Sequence, residues 1–404
     1  GLIMSELYSL PDGWEWKNIS EVFIVKDGTH DSPKYIEENG YPLLTSKNLR
    51  ENGLDYSNFK LISEEDYIKI NQRSKVDKGD LLFFFFWTIG NPTIIEQEPN
   101  FAIKNVALFK PMNKENKIEF LRYYFLSNFV IDKMINEANG ATQKFVGLTY
   151  LRNFLYPQPP LEEQKRIVAK LDILFKKIDK AIALHQKNID EVNVFMASVL
   201  NDVFLELEEK YEKKELSNLV SKLGDGLHGT PKYDDNGEYY FINGANVKDN
   251  KIIVNQNTKK VNEDEYNKYK KELNDRTIFV SINGTIGNVG LYNNEKCILG
   301  KSACYFNLLE NIDKIYITYV LKNGDFQEYI EKNSTGATIK NVSLKTMRAY
   351  KIPLPPLPTQ QKVVAYLDEI SNKMEKIKQI QKEKMQSLKA LKASILDQAF
   401  KGEL

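Results

Sequence analysis

Asp27-Gly28-Thr29-His30, followed by Pro33-Lys34-Tyr35, returns at the same internal spacing as Asp225-Gly226-Leu227-His228 and Pro231-Lys232-Tyr233. The echo continues along the chain. Thr88-Ile89-Gly90-Asn91 recurs as Thr285-Ile286-Gly287-Asn288, and Gly140-Ala141-Thr142 as Gly336-Ala337-Thr338. Tyr156-Pro157-Gln158-Pro159-Pro160 recurs as Ile352-Pro353-Leu354-Pro355-Pro356. By subtraction the offset drifts only from about 198 to about 196, so two copies of one unit fill the chain and pseudo-two-fold symmetry is expected.

Each copy has the same internal order. A β-rich region comes first, dense in aromatics and in turn signals such as Asn39-Gly40, Asn52-Gly53, Asn236-Gly237, Asn243-Gly244 and Asn283-Gly284, where Asn and Gly accept positive φ cheaply. Leu81–Trp87, the most apolar run, has the length of a buried strand. Helical spacing marks 118–135 and 315–330. A proline cluster then closes each region at 157–160 and 353–358, because proline interrupts both helix and sheet hydrogen bonding. The segments read as 1–157, 158–213, 214–353 and 354–404, with long helices in the second and fourth.

Those helices carry a heptad seam. Val363, Leu367, Ile370, Met374, Ile377, Leu388, Leu391 and Ile395 step by fours and threes, matched by Ile167, Leu171, Leu174, Ile178, Ala181, Val192, Phe195 and Val199. Continuing the pattern places His185 and Asn188 in one seam, and Gln381 and Lys384 in the other, at the centre of each helix. If the copies are related by a dyad, the helices run antiparallel and these polar residues form a layer that fixes register, with His185 close to Gln381. The fold class is α+β: two pseudo-symmetric β-rich domains separated by two long helices packed as an antiparallel coiled coil.

Composition restricts the function. The chain has 404 residues, 56 Lys+Arg against 55 Asp+Glu, and a net charge of +1, so any nucleic-acid surface is one basic face on a neutral body. Residues 1–155 carry roughly −3. No apolar stretch approaches the ~18 residues of a membrane span. The start, Gly1-Leu2-Ile3-Met4-Ser5, lacks the basic and apolar regions of a secretory leader. Cys297 and Cys304, both in the second copy, imply no disulfide framework and fit a cytoplasmic location. Two Cys with His30, His185 and His228 make a structural zinc site improbable.

With Leu10-Pro11-Asp12-Gly13-Trp14 at the start, the ordered and duplicated motif set resembles the specificity subunits of Type I restriction–modification systems over essentially the whole chain. Both proline exits lead into Gln164-Lys165-Arg166-Ile167-Val168 or Gln360-Gln361-Lys362-Val363-Val364, as the resemblance requires. No single motif is specific; the set is. The resemblance implies two target recognition domains, each reading half of a split, asymmetric DNA sequence, and helices that fix the gap. It implies docking of two adenine-N6 methyltransferase subunits and of restriction/translocase subunits, and no catalysis on this chain. S-adenosylmethionine, ATP and Mg²⁺ are then expected on the partners, with no cofactor here. The residues agree: an Asn/Asp/Ser-Pro-Pro-Tyr/Phe methyltransferase signature, a Gly-rich S-adenosylmethionine loop and a Walker loop are all absent.

DNA contact needs donors for phosphates and flat polar groups for base edges. His30, Lys34 and Tyr35, with His228, Lys232 and Tyr233, are candidates, although the histidines equally suit a role in shaping the turn. Lys47 and Asn48, opposite Asn246, occupy a stretch where the copies differ. The Thr-Ile-Gly-Asn loops add Thr88 and Asn91, with Asn283, Thr285 and Asn288; the alternative is a plain hairpin. The Gly-Ala-Thr loops add Thr142, Gln143 and Lys144, with Thr338, Lys340 and Asn341. The two Pro-Pro-Leu-x-x-Gln segments are the favoured methyltransferase contact. Two other readings stay open: a fused methyltransferase or nuclease with an unrecognised site, and a docking scaffold that no longer reads DNA, which the mild acidity of the first region favours.

Overall fold

The structure is a computed structural model that describes residues 7–50, 53–86, 88–89, 91–139 and 147–404, with backbone only at 85–86, 88–89 and 138–139. Two compact units divide the chain: one runs to His185 and takes back Glu383–Leu404, the other spans Gln186–Lys382. The sequence boundaries fall at strand–helix junctions, whereas the units cut each long helix near its middle. Each unit therefore owns one β-rich region and half of each helix.

The two units are built alike. In the first, Phe23–Asp27, Ala107–Pro111, Leu81–Phe83 and Thr93–Ile94 form an antiparallel sheet in that spatial order. In the second, Val220–Gly224, Ala303–Leu308, Thr277–Ser281 and Val289–Leu291 repeat it strand for strand. A smaller sheet follows in each, with a parallel pair between Tyr41–Leu44 and Ala102–Ile103, or between Tyr239–Ile242 and Cys297–Leu299. Tyr41 stacks on Tyr67, and Tyr239 on Tyr266, with ring centroids 4.0 Å apart in both cases. Such rings bury large apolar area with a defined geometry, so the echo extends to packing.

The helical stretches at 118–135 and 315–330 are each two helices, Ile118–Phe125 with Asn128–Asn139, and Lys314–Lys322 with Gly324–Lys332. A local side-chain bond sits at each break. Ser127 Oγ donates to the Tyr124 carbonyl at 2.7 Å, and Asn323 Oδ1 accepts from the Gly324 N–H at 2.8 Å. Apolar periodicity runs through such a break unchanged, which is why it is invisible to spacing.

The long helices are Leu161–Lys210 and Leu357–Phe400, about 75 Å and 65 Å at 1.5 Å per residue. In the first unit Ile167, Leu171, Phe175 and Ile178 share a core with Ile395, Leu396, Ala399 and Phe400, so the start of one helix packs on the end of the other. In the second, Leu200, Phe204 and Leu207 pack with Leu367, Val363 and Val364. Both arrangements are antiparallel. Lys392 fastens the first: its Nζ sits 2.7 and 3.0 Å from the Asp179 carboxylate oxygens and 4.7 Å from the Phe175 ring centre.

Ile167, Leu171, Ile178, Leu367 and Ile395 are buried as the heptad expects, but parts of the seam are displaced by one residue. Phe195 is 50% exposed, Leu391 48% and Ile377 37%, while Met196, Lys392 and Lys378 take the inward steps. Likewise Asn188 and Lys384 are exposed, and Ile189 and Met385 replace them. His185 and Gln381 are half-buried, and Asn188 Nδ2 donates to Gln381 Oε1 at 3.3 Å from the flank. The physical reason is the long stem of lysine, which buries its methylenes and keeps its ammonium in water. A binary apolar pattern therefore passes over Lys378 and Lys392.

Gln164 and Gln360 are internal clamps rather than docking residues. Both are buried. Gln164 Oε1 accepts from the Lys117 N–H at 2.9 Å, and its Nε2 donates to the Pro159 and Glu115 carbonyls at 2.9 and 3.2 Å. Gln360 does the same with the Asp313 N–H at 2.8 Å and the Pro355 carbonyl at 2.9 Å. Each thus ties the head of a long helix to the start of the short helix before it. About two turns on, Tyr123 donates to Asp172 at 2.5 Å and Tyr319 to Asp368 at 2.6 Å.

Candidate nucleic-acid interface

The Asp-Gly-x-His turns lie against the short parallel strand of each unit. A Cβ on Gly28 would stand 2.3 Å from the Ile103 carbonyl oxygen, and one on Gly226 2.0 Å from that of Leu299. The turn needs glycine because backbone meets backbone there. Thr29 bridges Lys104, and Leu227 bridges Gly300, both in parallel sense.

This seat presents the histidines to solvent. His30 Nε2 lies 2.8 Å from Asp27 Oδ2 and its Nδ1 2.8 Å from Asn105 Oδ1. The Asn105 hydrogen bond, and then the Asp27 carboxylate, raise the His30 pKa above its usual 6.5. Arg73 pairs with the same Asp27. His228 repeats only half of this. Its Nε2 is 2.8 Å from Asp225 Oδ2, while Lys301 stands in the place of Asn105, its N–H donating to the Leu227 carbonyl at 2.9 Å as that of Asn105 does to Thr29 at 3.1 Å.

In the second unit, loops that are far apart in sequence converge. The Gly284 N–H donates to the Lys340 carbonyl at 2.9 Å, and the Val342 N–H to that of Ile282 at 2.8 Å. Asn283 Nδ2 donates to Asn341 Oδ1 at 3.2 Å. The Thr-Ile-Gly-Asn and Gly-Ala-Thr loops thus form one ledge, with Gly336 at φ +95° permitting the return. Beside it lies an open cleft of about 470 Å³ whose lining includes Asp225, His228, Asn283, Lys301, Asn341 and Ser343. Three of the sequence-derived candidates, His228, Asn283 and Asn341, meet there.

The other candidates separate into groups. Lys34, Tyr35, Lys232, Tyr233, Thr285 and Thr338 are exposed. Lys259 Nζ stands 5.8 Å from the Tyr233 ring centre, and the Lys232 N–H donates to Glu265 at 3.0 Å, which anchors that loop. Lys340 is exposed and ion-paired with Glu331. Asn288 gives its backbone N–H to Ser281 at 2.9 Å, and the Asn91 carbonyl accepts from Thr93. Thr142, Gln143 and Lys144 lie outside the described residues, as does the side chain of Thr88.

Asn48 and Asn246 serve the scaffold. Asn48 is buried, donates Nδ2 to the Asp55 and Asn58 carbonyls at 2.8 and 2.9 Å, and accepts from the Thr45 N–H at 2.9 Å. Asn246 donates to the Ile253 carbonyl and accepts from the Asn243 N–H, both at 2.9 Å. Both amides shape a turn of the scaffold, Asn48 buried and Asn246 half-buried. Lys47 beside Asn48 stays exposed.

Two basic residues beyond the sequence-derived set belong to these sites. Lys301 lines the cleft, and Lys104 donates Nζ to Ser32 Oγ at 2.5 Å. They are neighbours rather than equivalents: Gly300 takes the place of Lys104, and Lys301 that of Asn105, as the matching backbone hydrogen bonds to Ile242 and Leu44 and to Leu227 and Thr29 show. Among the described residues there is no cluster of metal-ligating side chains and no helix long and apolar enough to cross a membrane. Both cysteines are buried and free; burial pushes the Cys297 thiol up to about 12 and raises Cys304 as well, so neither is a reactive thiolate.

The profile of the Type I restriction modification DNA specificity domain matches residues 11–194 and again 208–384. The chain is 25% identical to a protein of Methanocaldococcus jannaschii described as the type I restriction enzyme MjaX specificity subunit, over 95% of this chain and 93% of that one. It is 22% identical to the type I restriction enzyme StySPI specificity subunit of Salmonella potsdam, over 98% and 90%. Its fold is similar to that of a chain solved in a study of assembly and conformational transition of the type I R-M system, with a TM-score of 0.72 and 21% identity over 98% of this chain and all of that one.

Proposed function

The chain belongs to the Type I restriction–modification DNA specificity family, and from that premise we propose that it is the non-catalytic subunit that reads a bipartite, asymmetric DNA target. One observation carries the reading. Two units with the same topology present the same Asp-Gly-x-His turn and the same exposed lysine at Lys34 and Lys232, yet differ in the loops around them. Shared cations suit phosphates, which are alike in every sequence; divergent loops suit base edges, which are not. Two unlike reading surfaces on one chain call for two unlike half-sites.

The mechanism is positioning. The long helices, passing from one unit into the other, set the gap between half-sites at about one helical turn of DNA, ~34 Å. Two adenine-N6 methyltransferase subunits dock on the chain and reach adenines that must be flipped from the duplex for chemistry. Restriction/translocase subunits join them, bringing ATP and Mg²⁺, while S-adenosylmethionine resides on the methyltransferases. The outward helix faces support docking: Leu184 and Phe195 on the first helix, and Ile380 and Leu391 on the second, are exposed apolar residues related by the repeat offset. Each pair spans eleven residues, about three turns, and so lies on one face. The chain acts in the cytoplasm, where DNA is accessible to it.

A binding assay of the purified chain, alone and with methyltransferase subunits, against a specific duplex and a scrambled one tests this reading. Sequence-dependent binding is expected once the subunits are present. Equal affinity for both duplexes would favour the docking scaffold, and methyl transfer or cleavage by the chain alone would favour an enzyme.

A further inference from the structure

We infer that in the second unit Asn341 reads an adenine, with Asn283 beside its amide, while Lys301 holds the neighbouring phosphate. This deepens the DNA-reading function proposed above and rests on it. The first argument comes from the repeat. Asp225 and His228 have counterparts of the same type in Asp27 and His30, as befits a shared scaffold. Asn283 and Asn341 do not: the repeat offset sets them against Phe86 and Phe145. Lys301 likewise stands where the first copy has Asn105, so the cleft differs between the copies in two amides and one cation.

Geometry supplies the second argument. The Asn341 backbone is pinned on both sides, its N–H donating to the Thr335 carbonyl at 2.8 Å and its carbonyl accepting from the Thr335 N–H at 2.9 Å. Asn283 Nδ2 then donates to Asn341 Oδ1 at 3.2 Å, which holds the two amides side by side. Asn341 Oδ1 keeps a second lone pair, and its Nδ2 keeps its donors. That is the acceptor–donor pair that meets N6 and N7 of adenine in the major groove. Preorganisation matters because an amide already held in place loses little freedom on binding.

Charge placement is the third argument. His228 is anchored through Nε2 to Asp225, and no hydrogen bond occupies its Nδ1 among the described residues. The corresponding nitrogen of His30 is taken by Asn105. Lys301 lines the same cleft as His228 and Asn341. A phosphate beside the base that Asn341 reads would find the Lys301 ammonium in the same cleft.

Selection from randomised duplexes, with the full chain bound to its methyltransferase subunits, tests the inference. Asn341→Ala should make one base pair degenerate in one half-site, with discrimination there falling about tenfold or more. Asn283→Ala should loosen the same position to a smaller extent. Asn341→Asp should move the preference at that position from adenine towards cytosine, whose N4 donates to a carboxylate. Lys301→Ala should weaken all duplexes alike and lower the salt slope by about one, with the motif intact. An unchanged motif in folded Asn341→Ala and Asn341→Asp chains, beside a clear wild-type motif, would overturn the inference and leave the DNA-reading function standing. Loss at both half-sites would also overturn it. No motif from the wild-type chain would overturn the DNA-reading function and this inference together.

Discussion

Replacing Gln360 by alanine should loosen the second unit where its long helix begins. The side chain satisfies two backbone groups, the Asp313 N–H at 2.8 Å and the Pro355 carbonyl at 2.9 Å. Pro355 is buried and Asp313 half-buried. An unsatisfied buried donor or acceptor costs about 1–3 kcal/mol, so two of them, one partly reached by water, give about 2–4 kcal/mol. The first unit offers an internal control, because Gln164 holds three such bonds in the same place. A chain of two compact units need not unfold in one step, so a single global transition would blur the effect. Native-state hydrogen exchange resolves it locally. In Gln360→Ala the amides of Asp313 and of Lys314–Lys322 should lose protection worth about 2–4 kcal/mol, while Ile118–Phe125 stays unchanged. Gln360→Met, of similar length without the polar atoms, should lose nearly as much. A change below about 0.5 kcal/mol, or one shared equally by both units, would refute the clamp.

Three further outcomes follow from the structure. Asn48→Ala and Asn246→Ala should each lower stability by about 1–3 kcal/mol while leaving the salt dependence of DNA binding untouched, as seen by urea unfolding beside a salt titration; a flattened salt slope would return them to the interface. His30, raised above 6.5 by Asn105 and Asp27, should titrate above that value by NMR. The associated stabilisation of the first unit is then fully present below 6.5 and is lost as pH rises through the folded-state value; Asn105→Ala should bring the midpoint back towards 6.5, and a wild-type midpoint at or below 6.5 would contradict the geometry. Seven residues inserted in both long helices, at 185/186 and 382/383, preserve the heptad and add about 10 Å, so the recognised gap should grow by about three base pairs with both half-sites unchanged. Altered half-sites would show that the helices do more than set the gap.

The repeat made most of the architecture legible. Paired Gly-containing turns, proline exits and heptads marked both β-rich regions and both helices, because each depends on local chemistry that spacing reveals. The local steps of the seam were not all legible, since Lys378 and Lys392 take inward places that a hydrophobic pattern assigns to Ile377 and Leu391. Asn48, Asn246, Gln164 and Gln360 carry polar side chains in duplicated motifs, which suits a binding surface as well as a buried clamp. Only hydrogen-bond partners distinguish the two. The ledge of Asn283 and Asn341 depends on a contact across 58 positions, which no local pattern encodes.

The most direct test of two-part reading is a map of N6-methyladenine in the genome of cells expressing the chain with its modification partner. One motif is expected, made of two different half-sites at a single fixed gap, absent when the chain is absent. A contiguous or palindromic motif, or half-sites found at variable separations, would contradict it.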